Sequence, residues 1–166
     1  GGQTTSEYRI MVEYINPNIK PMLGSENFTI GENKYITGIN GYPFTKAAFM
    51  EKLTVSDGTY EIYGPDGETV LADTANIGTG TVVKLYDRYG EVSDTYTVVI
   101  YGDVSGDGIM DALDMLMIQK YLQKMLTLGE VNQIGADVSR DGIIDALDML
   151  MIQKHLTFTE VIKEGL

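Results

Sequence analysis

One run of twenty residues occurs twice. Residues 103–122 read DVSGDGIMDALDMLMIQKYL and residues 137–156 read DVSRDGIIDALDMLMIQKHL, differing only at Gly106/Arg140, Met110/Ile144 and Tyr121/His155. So close a repetition requires two copies of one structural unit, and the spacing of oxygen atoms inside it says what the unit is built around. Side-chain oxygens stand at loop positions 1, 3, 5, 9 and 12: Asp103, Ser105, Asp107, Asp111 and Asp114, then Asp137, Ser139, Asp141, Asp145 and Asp148. Calcium takes about six to eight oxygens at roughly 2.3 to 2.6 Å, so a short loop that serves it must gather many carboxylates around one point. Glycine at position 6, Gly108 or Gly142, permits the sharp bend, and position 7, Ile109 or Ile143, offers its carbonyl. A solvated acidic turn accounts for one DxSxDG; two copies with matched positions 9 and 12 point to two Ca2+ ions.

The flanks separate two kinds of calcium loop. In an EF-hand a helix enters the loop and position 12 is Glu. Here residues 95–101 (TYTVVIY), β-branched and aromatic, predict a strand leading into the first loop, and position 12 is Asp in both copies. Only the exiting helices are predicted, over 112–124 and 146–156. These two loop–helix units, the F-hand halves of an EF-hand, closely resemble a dockerin across residues 102–162. That resemblance implies an all-α module that docks onto a cohesin domain of a scaffoldin or anchoring protein, in a cellulosome-type or amylosome-type complex outside a bacterial cell. It also implies that loop positions 10 and 11 and the helix residues after them meet the cohesin. Those are Ala112, Leu113, Leu116, Gln119 and Lys120, and Ala146, Leu147, Leu150, Gln153 and Lys154. Ala-Leu at positions 10 and 11, where many dockerins have Ser-Thr, implies a more apolar contact. Near-identical helices imply a twofold relation and a dual binding mode, with one cohesin docking on either face.

Helical periodicity adds to this list. Met115, Ile118 and Leu122 fall at core-facing spacing, which leaves Leu113, Leu116, Met117 and Lys120 on another face, with Leu147, Leu150, Met151 and Lys154 as counterparts. A module of about sixty residues is too small to bury two such helices all round, so an exposed apolar stripe is expected. His155, the one histidine, reads as an exposed variant of Tyr121. Between the copies, residues 127–130 (TLGE) have the capping-box pattern and predict a helix to about residue 134; residues 157–160 (TFTE) repeat it. Phe158 is the expected anchor of the C-terminus.

The first hundred residues read as β. Strands are predicted at 8–15, 28–30, 34–39, 59–63, 69–72, 81–86 and 92–101, with turns at 31–33, 64–67, 78–80 and 87–90 and one helical patch at 45–53 capped by Thr45. Short strands and frequent turns predict a small β-sandwich. The run from residues 34–38 (KYITG) through 78–80 (GTG) to 96–102 (TVVIYG included) resembles the X-modules, often immunoglobulin-like, that precede dockerins. The expected organisation is therefore β plus α: an X-module over 1–101 and a dockerin over 102–166. No linker separates them, which predicts a fixed orientation with the β region as support.

Composition bounds the remaining possibilities. A net charge of −12 argues against nucleic acid and acidic membranes, and the absence of Cys excludes disulfides and thiolate metal sites. Gly1-Gly2 reads as a linker remnant, so the chain is expected to be a piece of a longer protein. The β-region carboxylates, among them Glu13, Glu32, Glu51, Glu61, Asp66, Asp73 and Asp87, form no acid/base pair, and no enzyme is expected. A monomer is expected in the absence of cohesin. Two other readings are a calcium-structured module without a cohesin partner and a glycan-binding β module with a dockerin anchor.

Overall fold

The computed structural model describes residues 19–40, 43–157 and 162. The predicted strand at 8–15 and the Phe158 anchor lie outside the described residues. Among the described residues seven strands and four helices follow in order: β1 (Met22–Gly24), β2 (Thr29–Ile30), β3 (Tyr35–Thr37), α1 (Lys46–Met50), β4 (Thr54–Ser56), β5 (Thr59–Tyr63), β6 (Val82–Tyr86), β7 (Val92–Val98), α2 (Ala112–Leu122), α3 (Glu130–Ala136) and α4 (Ala146–Leu156).

Strand β6 shows how the sequence makes the sheet. Val83 and Leu85 point into the core with no exposure while their neighbours are half-buried, the period of two that a strand imposes. The five-stranded sheet runs β2-β3-β7-β6-β5, antiparallel except where β3 pairs parallel with β7 through Tyr35/Thr97 and Ile36/Val98. A second sheet pairs β1 with β4. Both sheets and α1 contribute to one core, in which Phe49 lies fully buried and stacks on Phe28 at 4.8 Å between ring centroids. Fully burying side chains of this size stabilises by about 1.5 to 3 kcal/mol each.

The turn chemistry acts as expected at several places. Gly31 and Lys34 close the β2–β3 hairpin, Lys34 taking a positive φ of 66°, and the Thr45 hydroxyl accepts from the Ala48 N–H to cap α1. Residues 69–72 do not form a strand: a single bridge joins Val70 to Tyr63, because the Asp66 carboxylate accepts from the Glu68 and Thr69 N–H groups and keeps that stretch in the turn. The short β1 and β4 were not predicted. Buried Lys46 was not foreseen either; its Nζ donates to Glu61 at 2.8 Å and to the Leu71 carbonyl at 3.0 Å, so this buried charge is paired.

Strand β7 leaves the sheet at Val98, and residues 99–102 carry the chain into the helical region, whose separate core centres on Val104, Ile118, Ala136, Val138 and Ile152. Helices α2 and α4 pack on each other, with α3 between them in sequence. Helix α3 begins at Glu130 with Gly129 as N-cap and no side-chain cap bond, so the capping box expected from Thr127 does not form. Thr157 instead ends α4, its hydroxyl donating to the Gln153 and Lys154 carbonyls.

Candidate metal centres and docking face

Each acidic loop is organised by its own carboxylates. Asp111 is the N-cap of α2: its Oδ1 accepts from the Leu113 N–H at 2.6 Å, while Asp114 Oδ2 accepts from the Asp111 N–H at 2.8 Å, a complete capping box. Asp145 and Asp148 repeat the arrangement at 2.7 and 2.8 Å on α4. Positions 9 and 12 therefore start the helix as well as standing where a calcium loop needs oxygens, a double use that spacing alone did not reveal. Position 1 gathers the first half of each loop. Asp103 accepts from the Gly106 and Gly108 N–H groups, and Asp137 from those of Asp141 and Gly142. Gly108 and Gly142 at position 6 both take a positive φ, 76° and 86°, where a Cβ would be strained.

Among the described residues no three acidic or histidine side chains converge closely enough, as they stand, to hold a metal ion. The donor set nevertheless fits a hard cation in kind: four carboxylates, a hydroxyl and a position-7 carbonyl per loop, with no nitrogen or sulfur ligand. Asp103 and Asp114 are both fully buried in loop one. Burial, and then the Asp114 charge, push the Asp103 carboxyl up to about 6 despite the N–H groups that favour its ionised form, and burial likewise raises Asp114. A bound cation would relieve that repulsion. Asp103, Ser105, Asp107, Ile109, Asp111 and Asp114 would hold one Ca2+, and Asp137, Ser139, Asp141, Ile143, Asp145 and Asp148 the other.

The helix faces divide differently from the sequence expectation. The core seam of α2 carries buried Asp114 and Ile118 with half-buried Met115 and Tyr121, and that of α4 buried Asp148 and Ile152 with half-buried Met149 and Leu156, so Met115 and Ile118 do lie against the core as expected. Because the buried position-12 Asp occupies the seam, the stripe is rotated from the one expected through Leu122, which is 40% exposed. Met117 and Met151, expected on the docking face, flank this seam and are half-buried against the core. His155 is half-buried rather than exposed, and its Nδ1 accepts from the Ile162 N–H at 3.2 Å. The remaining apolar surface is paired: Leu113 and Leu147 are 46% and 47% exposed, Leu116 and Leu150 41% and 44%. Ala112, Gln119 and Lys120, and Ala146, Gln153 and Lys154, are exposed beside them.

Contacts reach loop one from outside the repeat, among them that of Asn132 Nδ2, which donates to the Val104 carbonyl at 2.9 Å. The Thr79 N–H, in the turn after buried Ile77, donates to Asp103 Oδ2 at 2.8 Å. The Thr79 hydroxyl both donates to the Ile100 carbonyl and accepts from the Ile100 N–H. The only trace of this in the sequence is the Gly106/Arg140 difference.

Residues 101–157, 57 of the 166, match the family model of the dockerin type I domain. No curated protein matches the chain.

Proposed function

We propose that residues 102–166 form a calcium-dependent dockerin that attaches its protein to a cohesin domain of a scaffoldin or cell-surface anchor. The proposal extends to residues 1–101 as a supporting X-module of immunoglobulin-like kind, and to an extracellular bacterial complex of cellulosome or amylosome type that degrades polysaccharide. Dockerin domains in general bind calcium and dock onto cohesins. The observation that carries the reading is the match over 101–157, the same span in which two acidic loops each start a helix with a pair of exposed leucines.

Exposed apolar side chains that converge on one surface are the usual core of a protein interface. Leu113 and Leu116 on α2, and Leu147 and Leu150 on α4, are exposed to nearly the same degree, which supports two equivalent docking faces. The β region's role as support draws on the shared core of its two sheets and on the short connection of residues 99–102 between β7, which ends at Val98 rather than at the expected residue 101, and loop one; Val99 and Ile100 in it are buried. Of the described residues, none belongs to a helix long and apolar enough to cross a membrane.

The test is calorimetric titration with type I cohesins of Leu113→Asp, Leu147→Asp and the double variant. Each single variant is expected to bind within about threefold of the parent and the double variant to lose at least a hundredfold, the effect of burying an unpaired charge in each face in turn. Undiminished binding by the double variant would remove these leucines from the interface.

A further inference from the structure

The two loops are almost identical in sequence and differently housed. Asp103 and Gly108 of loop one are buried, whereas Asp137 is half-buried and Gly142 exposed. Loop two borders an open cleft of about 560 Å3 lined in part by Asp137, Arg140 and Gly142. Loop one is instead packed backbone to backbone against residues 77–79 of the β region. A Cβ on Gly78 would overlap the Gly106 carbonyl oxygen, and one on Gly108 would overlap the Ile77 carbonyl oxygen. A Cβ on Gly106 would meet the Thr79 carbonyl oxygen at 2.5 Å. That contact explains the sequence difference at position 4. Gly106 has no room for a side chain, while Arg140, with a φ of 61°, lays its guanidinium over the Tyr101 ring at 4.6 Å.

We propose that the turn at Gly78 and Thr79 is an outer wall of the first calcium loop that positions Asp103, so that the two loops hold calcium with unequal affinity, loop one the tighter. The inference rests on the calcium reading above. A ligand carboxylate fixed by a neighbour before the ion arrives does not have to be ordered when it binds, and such outer partners commonly change metal affinity by 10- to 100-fold. Asp103 has this partner in the Thr79 N–H at 2.8 Å. The carboxylate of Asp137, its counterpart, accepts among the described residues from Ser139, Asp141 and Gly142, all of its own loop. Thr79 is itself held by both hydrogen bonds to Ile100 and by Gly135 of α3, against which its Cγ2 lies. The wall is therefore held from both the β region and α3, and it belongs to neither repeat.

The experiment is calcium titration of the full chain by calorimetry in two site-silenced backgrounds. Asp141→Ala reports loop one and Asp107→Ala reports loop two; both side chains are exposed. Loop one is expected to bind about 10- to 100-fold more tightly than loop two. Gly78→Ala, which pushes the turn off loop one without touching a ligand, is expected to remove that advantage in the Asp141→Ala background and to leave affinity in the Asp107→Ala background within about twofold. Equal affinities in the two silenced chains, or a Gly78→Ala loss that is the same in both, overturns the inference and leaves the calcium reading standing. Calcium binding by neither chain overturns both. Should Gly78→Ala fail to fold, the comparison of the two silenced chains decides alone.

Discussion

Single side chains here do more than one thing, and substitution separates the tasks. Asp111 caps α2 and stands at a loop position proposed above to bind calcium. Asn is as good an N-cap as Asp but carries no charge. Asp111→Asn should therefore keep the stability of the chelator-treated chain within about 0.5 kcal/mol, whereas Asp111→Ala should cost about 1 kcal/mol there; both should weaken calcium binding. Denaturant melts with and without calcium check this. Asp66 offers a test against pH. The Thr69 hydroxyl, helped by the Thr69 and Glu68 N–H groups, lowers its carboxyl from 3.8 to about 2. A depressed carboxyl contributes stability that is complete above its ordinary value and disappears as pH falls through the folded one. The difference in melting temperature between parent and Asp66→Asn should be steady above about pH 5, shrink as pH falls through the folded value and vanish by about pH 1. A difference that persists at the acid end would mean that something other than charge holds this turn.

At the scale of elements, the helix pair is a two-sided object. Ile118 and Ile152 have no exposure, and Leu116 and Leu150 stand outside the core. Truncation of Ile118 or Ile152 to Ala should cost about 2 to 5 kcal/mol, and of Leu116 or Leu150 no more than about 0.5 kcal/mol, as read from denaturant midpoints. The helices were legible because twenty residues recur and because carboxylate-rich starts favour α-helix N-termini. Their rotation was not, since Asp114 and Asp148, read as loop oxygens at position 12, were not counted on the core-facing side and are buried in the seam. The strands β5 and β6 were legible from β-branched and aromatic runs, and the hairpin at β2–β3 from Gly31. Three-residue strands such as β1 and β4 are too short to show a period, and a five-residue helix such as α1 was visible chiefly through its Thr45 cap. The expected box at Thr127 failed because Gly129, already extended at a ψ of 160°, starts α3 in its place.

The whole molecule joins a β core and a helical core through residues 99–102 and the turn at Thr79. Duplication, loop spacing and helix starts could be read because they are local in sequence. The junction could not, because Thr79 and Asp103 are 24 residues apart and meet only when β6 and β7 have paired. Only the glycine at position 106, against arginine at 140, betrayed that one copy is walled and the other open. The parallel pairing of β3 with β7 was equally hidden, as it depends on which strands become neighbours rather than on the composition of either. On the function proposed above, two calcium loops hold α2 and α4 in place for a cohesin. The most direct measurement is calorimetric titration of the intact chain with type I cohesins, first in calcium and then in excess chelator. Tight one-to-one binding to at least one cohesin that disappears with chelator and returns when calcium is restored is the predicted result. Binding of equal strength in chelator, or no binding to any cohesin while calcium still raises the melting temperature, would contradict it.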